Sequence, residues 1–183
     1  TQLNTEIVRV EGNSVWLKNT PNMTRAGTVI RHRDEEPLQR AVEQAIAEKR
    51  HLYFPPGHYR LCKGLTVVNA ASLRIEGIAA EQVLLDISQG TGAIFDLQGG
   101  IEVTVRSMRM LGHGSKDCPM RGLTKLPLGV TYRYWTSKSC RAMFIQRTER
   151  VIVENVHAER MANEAFYAQA SCQPLSMYFK LTA

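Results

Sequence analysis

The sequence predicts an all-β fold, a coil of parallel strands in which each pass of the chain stacks on the one before. Two observations carry this. One pattern recurs three times, as Leu73-x-Ile75-x-x-Ile78, Val103-x-Val105-x-x-Met108 and Val151-x-Val153-x-x-Val156, at offsets of 30 and 48 residues. Each copy is a run of alternating apolar residues, a small break and one more inward apolar residue, and regular returns of this kind are the mark of stacked units that bury one another's faces. The apolar runs from Leu65 onward (65–68, 73–75, 83–87, 93–97, 103–105) are short and separated by Gly, Asn, Ser or Gln. They are too short for helices and too close together for βαβ units.

The chain opens with two β-like runs, Ile7-Val8-Arg9-Val10 and Ser14-Val15-Trp16-Leu17, joined by a Gly12-Asn13 hairpin turn. A loop containing Pro21 follows. One helix is predicted over 34–50. Asp34 is its N-cap, Glu35 and Glu36 suit the positive end of the dipole, and Pro37 is tolerated in the first turn. Leu38, Ala41, Val42, Ala45 and Ile46 draw one apolar stripe, and Lys49 and Arg50 complement the far end. His51–Phe54 and His58–Leu61 read as strands on either side of Pro55-Pro56-Gly57. Residues 112–141, with four glycines and two prolines, keep no period and read as a long inserted loop. The strand pattern resumes at Ala142-Met143-Phe144, which matches Ala93-Ile94-Phe95, and continues through 151–156 and 165–167. Asn69 and Asn155 suit turn positions, where asparagine tolerates unusual backbone angles.

At 183 residues the chain reads as a single domain, 1–183. No apolar run approaches the roughly 20 residues of a membrane helix. Its first residues lack the basic start and apolar block of a signal peptide. Cys62, Cys118, Cys140 and Cys172 form no C-x-x-C pair, which argues against zinc and thioredoxin-like chemistry; Cys118 and Cys140 bracket the irregular segment and could close it. The formal charge is +6 and unevenly spread. Residues 112–141 hold Lys116, Arg121, Lys125, Arg133, Lys138 and Arg141 against Asp117 alone, a local +5 that predicts a polyanionic partner.

The helix followed by Leu52-Tyr53-Phe54-Pro55-Pro56-Gly57-His58-Tyr59-Arg60-Leu61, and then Leu73-Arg74-Ile75-Glu76-Gly77, resembles the N-terminal entry of pectate-lyase-like proteins. The likeness covers roughly residues 28–112 and, more loosely, 141–170. It implies a right-handed parallel β-helix, a solenoid with an N-terminal capping α-helix, and a chain that is the N-terminal portion of a longer array. It also implies a secreted, periplasmic or cell-surface protein that acts on an acidic polysaccharide. Members of that superfamily are mostly polysaccharide lyases, hydrolases and epimerases, with tailspikes and adhesins among them. β-Elimination by a lyase is favoured over hydrolysis; the alternative is a non-catalytic adhesion or assembly protein. Calcium enters by resemblance only, because no acidic cluster suited to it is visible and no metal ligand is assigned. After Asp117 there is no aspartate, so the clustered aspartates of pectin hydrolases have no counterpart.

The site expected from the residues has two parts. Tyr132, Arg133, Tyr134 and Trp135, with Lys138 and Arg141, offer aromatic faces for sugar rings and guanidinium groups for carboxylate or sulfate. Arg109, His113 and Arg160 follow strand ends and are the catalytic candidates: a lyase needs a base beside the uronate carboxylate and a cation to neutralise it. His157 is a second candidate base. Glu154, Glu159 and Glu164 could supply a hydrolase carboxylate pair. Charge confined to one segment argues against nucleic acid. A second copy of the chain, or further turns of it, is expected to cover the strand-like end at 177–183.

Overall fold

A computed structural model describes residues 5–12, 14–19, 32–114, 123–125, 131–133, 140–162, 164–169 and 176–180. They fall into two units, Thr1–Arg31 and His32–Ala183. In the first, β1 (Ile7–Glu11) and β2 (Ser14–Leu17) pair antiparallel across Gly12, whose φ of +55° lies in the left-handed region that favours glycine. The Arg9 guanidinium lies 4.6 Å from the Trp16 ring, and Lys18 bonds Glu6 at 2.9 Å.

The second unit holds one helix, α1 (Glu35–Ala47), and ten strands: β3 (Leu52–Phe54), β4 (Gly57–Arg60), β5 (Lys63–Gly77), β6 (Val83–Asp86), β7 (Thr91–Leu111), β8 (Leu123–Lys125), β9 (Thr131–Arg133), β10 (Cys140–Glu159), β11 (Phe166–Gln169) and β12 (Ser176–Lys180). Eight form one sheet in which every pairing is parallel. Its main order is β11-β10-β7-β5-β3, with β12 also on β10 and β6 between β4 and β7. β8 and β9, within the segment read as a loop, pair antiparallel.

These pairings correct the expected fold class. The described strands are a mixture, parallel in one sheet and antiparallel in two, and they do not define a right-handed β-helical solenoid. The reason lies in what a sequence repeat encodes. It specifies which residues stand side by side on neighbouring parallel strands. It does not specify the hand of a connection or the closure of a coil.

The repeats did locate the core. Leu73 pairs with Val103 and Val103 with Val151; Ile75 pairs with Val105 and Val105 with Val153. All six are buried. The third position fails in the first copy: Ile78 is 52% exposed, while Met108 is fully buried. The chain turns at 79–82, where Gln82 N and Val83 N both bond the Ala79 carbonyl, and the buried Val83 takes up the inward alternation instead. The long strands also bend, β7 and β10 at two registers and β5 at one. Asn69, Arg147 and Gly99 occupy one register with φ of +50°, +53° and +76°, and Ser107 and Asn155 occupy another with φ of +57° and +49°. A left-handed residue within a ladder re-aims the strand beyond it, so the 15- to 21-residue runs are short straight pieces separated by corners.

The helix is shorter than expected and protects an edge. It stops at Ala47. Lys49, at φ +55°, sends the chain back so that Arg50 N bonds the Ala45 carbonyl at 2.8 Å, the turn usually made by glycine. Asp34 occupies the N-cap without a side-chain cap bond; its carboxylate instead accepts Arg60 N of β4 at 2.7 Å. On the inner stripe Val42 and Ala45 are buried. Gln39 treats β5 as a neighbouring strand would: its amide nitrogen donates to the Thr66 carbonyl at 3.0 Å and its oxygen accepts Thr66 N at 2.8 Å. β3 pairs only with residues 75–77 of β5, and at Thr66 the helix supplies the bonds that a strand would make on that side.

Candidate functional site

The basic insertion joins the end of β7 to the start of β10, and the turn between β10 and β11 runs beside its two roots. Gly112 N bonds the Glu159 carbonyl at 2.9 Å, and Gly114 N bonds the Arg160 carbonyl at 2.6 Å. Ala142 N bonds the Ala165 carbonyl at 2.9 Å, and Ala162 N donates to Cys140 Sγ at 3.4 Å. Both roots of the +5 segment are thus fastened to 159–165. Cys140 is a free, buried thiol, so it closes no loop with Cys118, which lies outside the described residues.

At the second root the side chains form a cluster. Register places Arg141 beside Ala93, Met143 beside Phe95 and Phe144 beside Asp96. Met143 and Ile145 are buried, so Phe144 between them faces outward, where its ring centroid lies 5.4 Å from that of Tyr167 on β11. The Arg141 guanidinium sits 5.0 Å from the Tyr167 ring and 5.7 Å from the Phe144 ring. One of its nitrogens, Nη2, bonds Glu164 Oε2 at 3.3 Å, while its buried Nε has no hydrogen-bond partner among the described residues. Beside Phe144, Asp96 accepts the side-chain amides of Gln98 at 2.8 Å and Gln146 at 3.4 Å. A flat cation, an aromatic face and adjacent amides and carboxylate can bind a sugar ring, its hydroxyls and an anionic substituent together.

The sequence-derived candidates separate. Arg109 projects from β7 and is held by Glu159 through Nε at 3.0 Å and Nη2 at 2.8 Å, so its charge is matched. His113 is 7% exposed and its Nδ1 lies 2.9 Å from the Gly114 carbonyl oxygen, a poor position for a base that must reach a substrate. Arg160 is exposed at φ +52° and lies near Gly114, beside the first root. His157, also exposed, is the register partner of Arg109. The three carboxylates considered for hydrolysis are kept apart by arginines: Glu154 stands opposite Arg106, Glu159 binds Arg109 and Glu164 binds Arg141. Tyr132 and Arg133 lie on β9 with side chains outside the described residues, and Tyr134, Trp135 and Lys138 lie wholly outside them. Of the six expected binding residues, the structure places the side chain of Arg141 alone.

Phe144, Tyr167, Asp96 and Gln146 were missed. The sequence match of Ala142-Met143-Phe144 to Ala93-Ile94-Phe95 is one residue out of register: Phe95 is buried beside Met143, and Phe144 is outside. A one-residue slip exchanges the faces of a strand. Reading Met143 and Ile145 as the inward pair would have turned Phe144 outward.

Among the described residues no three His, Cys, Asp or Glu side chains come together to hold a cation, so the donor set does not fit the calcium implied by resemblance. Two groups on β4 and β6 are perturbed. Burial would raise Asp86, but hydrogen bonds from Ser88 and His58 outweigh it and hold the carboxyl below its ordinary range. Burial, helped by the Asp34 charge, raises Tyr59. Among the described residues no helix is long and apolar enough to cross a membrane. Comparison with family models, with curated proteins and with solved structures gives no match. The likeness to pectate-lyase-like proteins therefore rests on sequence motifs alone, over roughly residues 28–112 and, more loosely, 141–170.

Proposed function

We propose that the protein binds an acidic polysaccharide, with Arg141, Phe144 and Tyr167 as the seat of one sugar. The observation that carries this is the Arg141 guanidinium, set against two aromatic rings, with a buried Nε that lacks a partner among the described residues. The location supports it, because the cluster stands at a root of the segment with a +5 excess. Such a ligand lies outside cells, and the reading carries a secreted, periplasmic or cell-surface location with it. Titration of the full chain with oligogalacturonate, a sulfated galactan and neutral dextran tests it. Acidic glycans should bind and dextran should not. Tyr167→Ala should weaken binding about three- to tenfold, the worth of an aromatic contact. Failure of every acidic glycan to bind would end the reading.

A second reading, β-elimination, is favoured by His157 standing beside Arg109 on neighbouring strands. In that chemistry His157 would take the C5 proton, the C4–O bond would break as the C4–C5 double bond forms, water would protonate the departing oxygen, and Arg109, exchanging Glu159 for the substrate, would neutralise the uronate carboxylate. Release of unsaturated uronate, followed by its absorbance and abolished in His157→Ala, is the expected result. Binding without such product leaves the non-catalytic adhesion reading.

A further inference from the structure

We infer that Glu164 is a built-in stand-in for the ligand: in the free protein its carboxylate occupies the position on Arg141 that a sugar carboxylate takes on binding. This rests on the acidic-glycan reading and adds a residue that sets its affinity and its preference for uronates. Arg141 rests against the neighbouring rings of Phe144 and Tyr167, and its side chain is 23% exposed. Glu164 is held far less firmly. It lies in the turn between β10 and β11, its side chain is 53% exposed, and its hydrogen bond to Arg141, the one it makes among the described residues, is 3.3 Å long. A tight guanidinium–carboxylate contact is bidentate and shorter, near 2.7–2.9 Å. Elsewhere in this molecule a guanidinium is held more closely: Glu159 Oε1 accepts from both Nε and Nη2 of Arg109, at 3.0 and 2.8 Å.

The consequence follows from exchange of like for like. If a carboxylate leaves as another arrives, Arg141 is never left without a counter-ion, and the step trades one exposed, weak contact for one on an oriented cation. A neutral sugar cannot make the exchange, because it would have to displace Glu164 without replacing the charge. The carboxylate therefore penalises neutral ligands more than uronates, which is discrimination through a competing contact.

The test uses the full chain and tetragalacturonate, with calorimetry as the readout. Glu164→Gln removes the competing charge and keeps the shape; it should tighten tetragalacturonate binding about two- to fivefold, the scale of an exposed ion pair. It should also narrow the preference over a neutral tetrasaccharide. Arg141→Lys keeps the charge but loses the planar stack, and should weaken binding about tenfold or more with the circular dichroism spectrum unchanged. If wild type binds and Glu164→Gln binds equally or more weakly, the stand-in role is overturned while the binding reading survives. If neither wild type nor Glu164→Gln binds any acidic glycan, both fall.

Discussion

Single residues decide more here than their size suggests, because parallel strands in register transmit any misfit to a backbone neighbour. Gly64 is the sharpest case: a Cβ there would sit 1.5 Å from the Ala93 carbonyl oxygen, which belongs to the strand beside it. Gly64→Ala should therefore cost about 3 kcal/mol or more in urea unfolding, in the range of overpacked cores. Asp86 gives a pH signature. Its folded pKa lies below the ordinary value, so its contribution is present above the unfolded pKa and is lost as pH falls through the folded one. Asp86→Asn should lose about 1 kcal/mol at neutral pH, and its deficit against wild type should shrink as the pH falls below the ordinary aspartate value of about 3.9. An undiminished deficit at low pH would show that the His58–Asp86 contact, 2.8 Å long, works through shape rather than charge. At this scale the sequence was partly readable. Asn69 and Asn155 announced their left-handed backbone, whereas Ser107 and Arg147 gave no sign, since their angles are imposed by the neighbouring strands, and neither did Lys49, whose angle belongs to the turn that ends the helix.

At the scale of elements, the helix acts by ending the ladder of β5 as much as by covering apolar surface. Its stripe was legible from periodicity alone, and Val42 and Ala45 are buried as that stripe requires. The contribution of Gln39 was not legible, because a polar residue on a helix carries no mark that its amide will pair with a strand. Gln39→Leu keeps the volume and removes both bonds to Thr66. It should cost about 1–3 kcal/mol, the loss expected when backbone groups are left without partners. It should also raise light scattering on mild heating, since an uncovered edge invites another chain. Loss of stability without added scattering would mean that the remaining helix contacts suffice to shield the edge. Strand existence followed from the apolar runs, but strand extent did not. Three runs, in β5, β7 and β10, continue through corners that the sequence suggested were breaks, because ladder pairing persists on both sides of each left-handed residue.

For the whole molecule, the separation of charge from core is the property that links fold to function. The registered faces neutralise themselves: Glu76 with Arg106 at 2.6 Å, Glu102 with Arg150 at 3.0 Å and Arg109 with Glu159 at 2.8 Å. Like charges side by side on adjacent strands would repel, and opposite ones add a modest gain. What remains unbalanced is the insertion, six cations against Asp117, which accounts for most of the net +6. A polyanion approaching the protein would thus meet one attractive region beside the Arg141 cluster. Such steering acts on the association rate and is screened over about 8 Å at physiological ionic strength. Replacing Lys116, Lys125 and Lys138 together by glutamine should slow association with polygalacturonate several-fold at low salt, with dissociation little changed. Raising the salt to about 0.5 M should erase the difference between variant and wild type. Stopped-flow association at two salt concentrations measures this directly. A slowing that persists undiminished at high salt would place these lysines in the bound contact itself rather than in the field that guides the ligand to it.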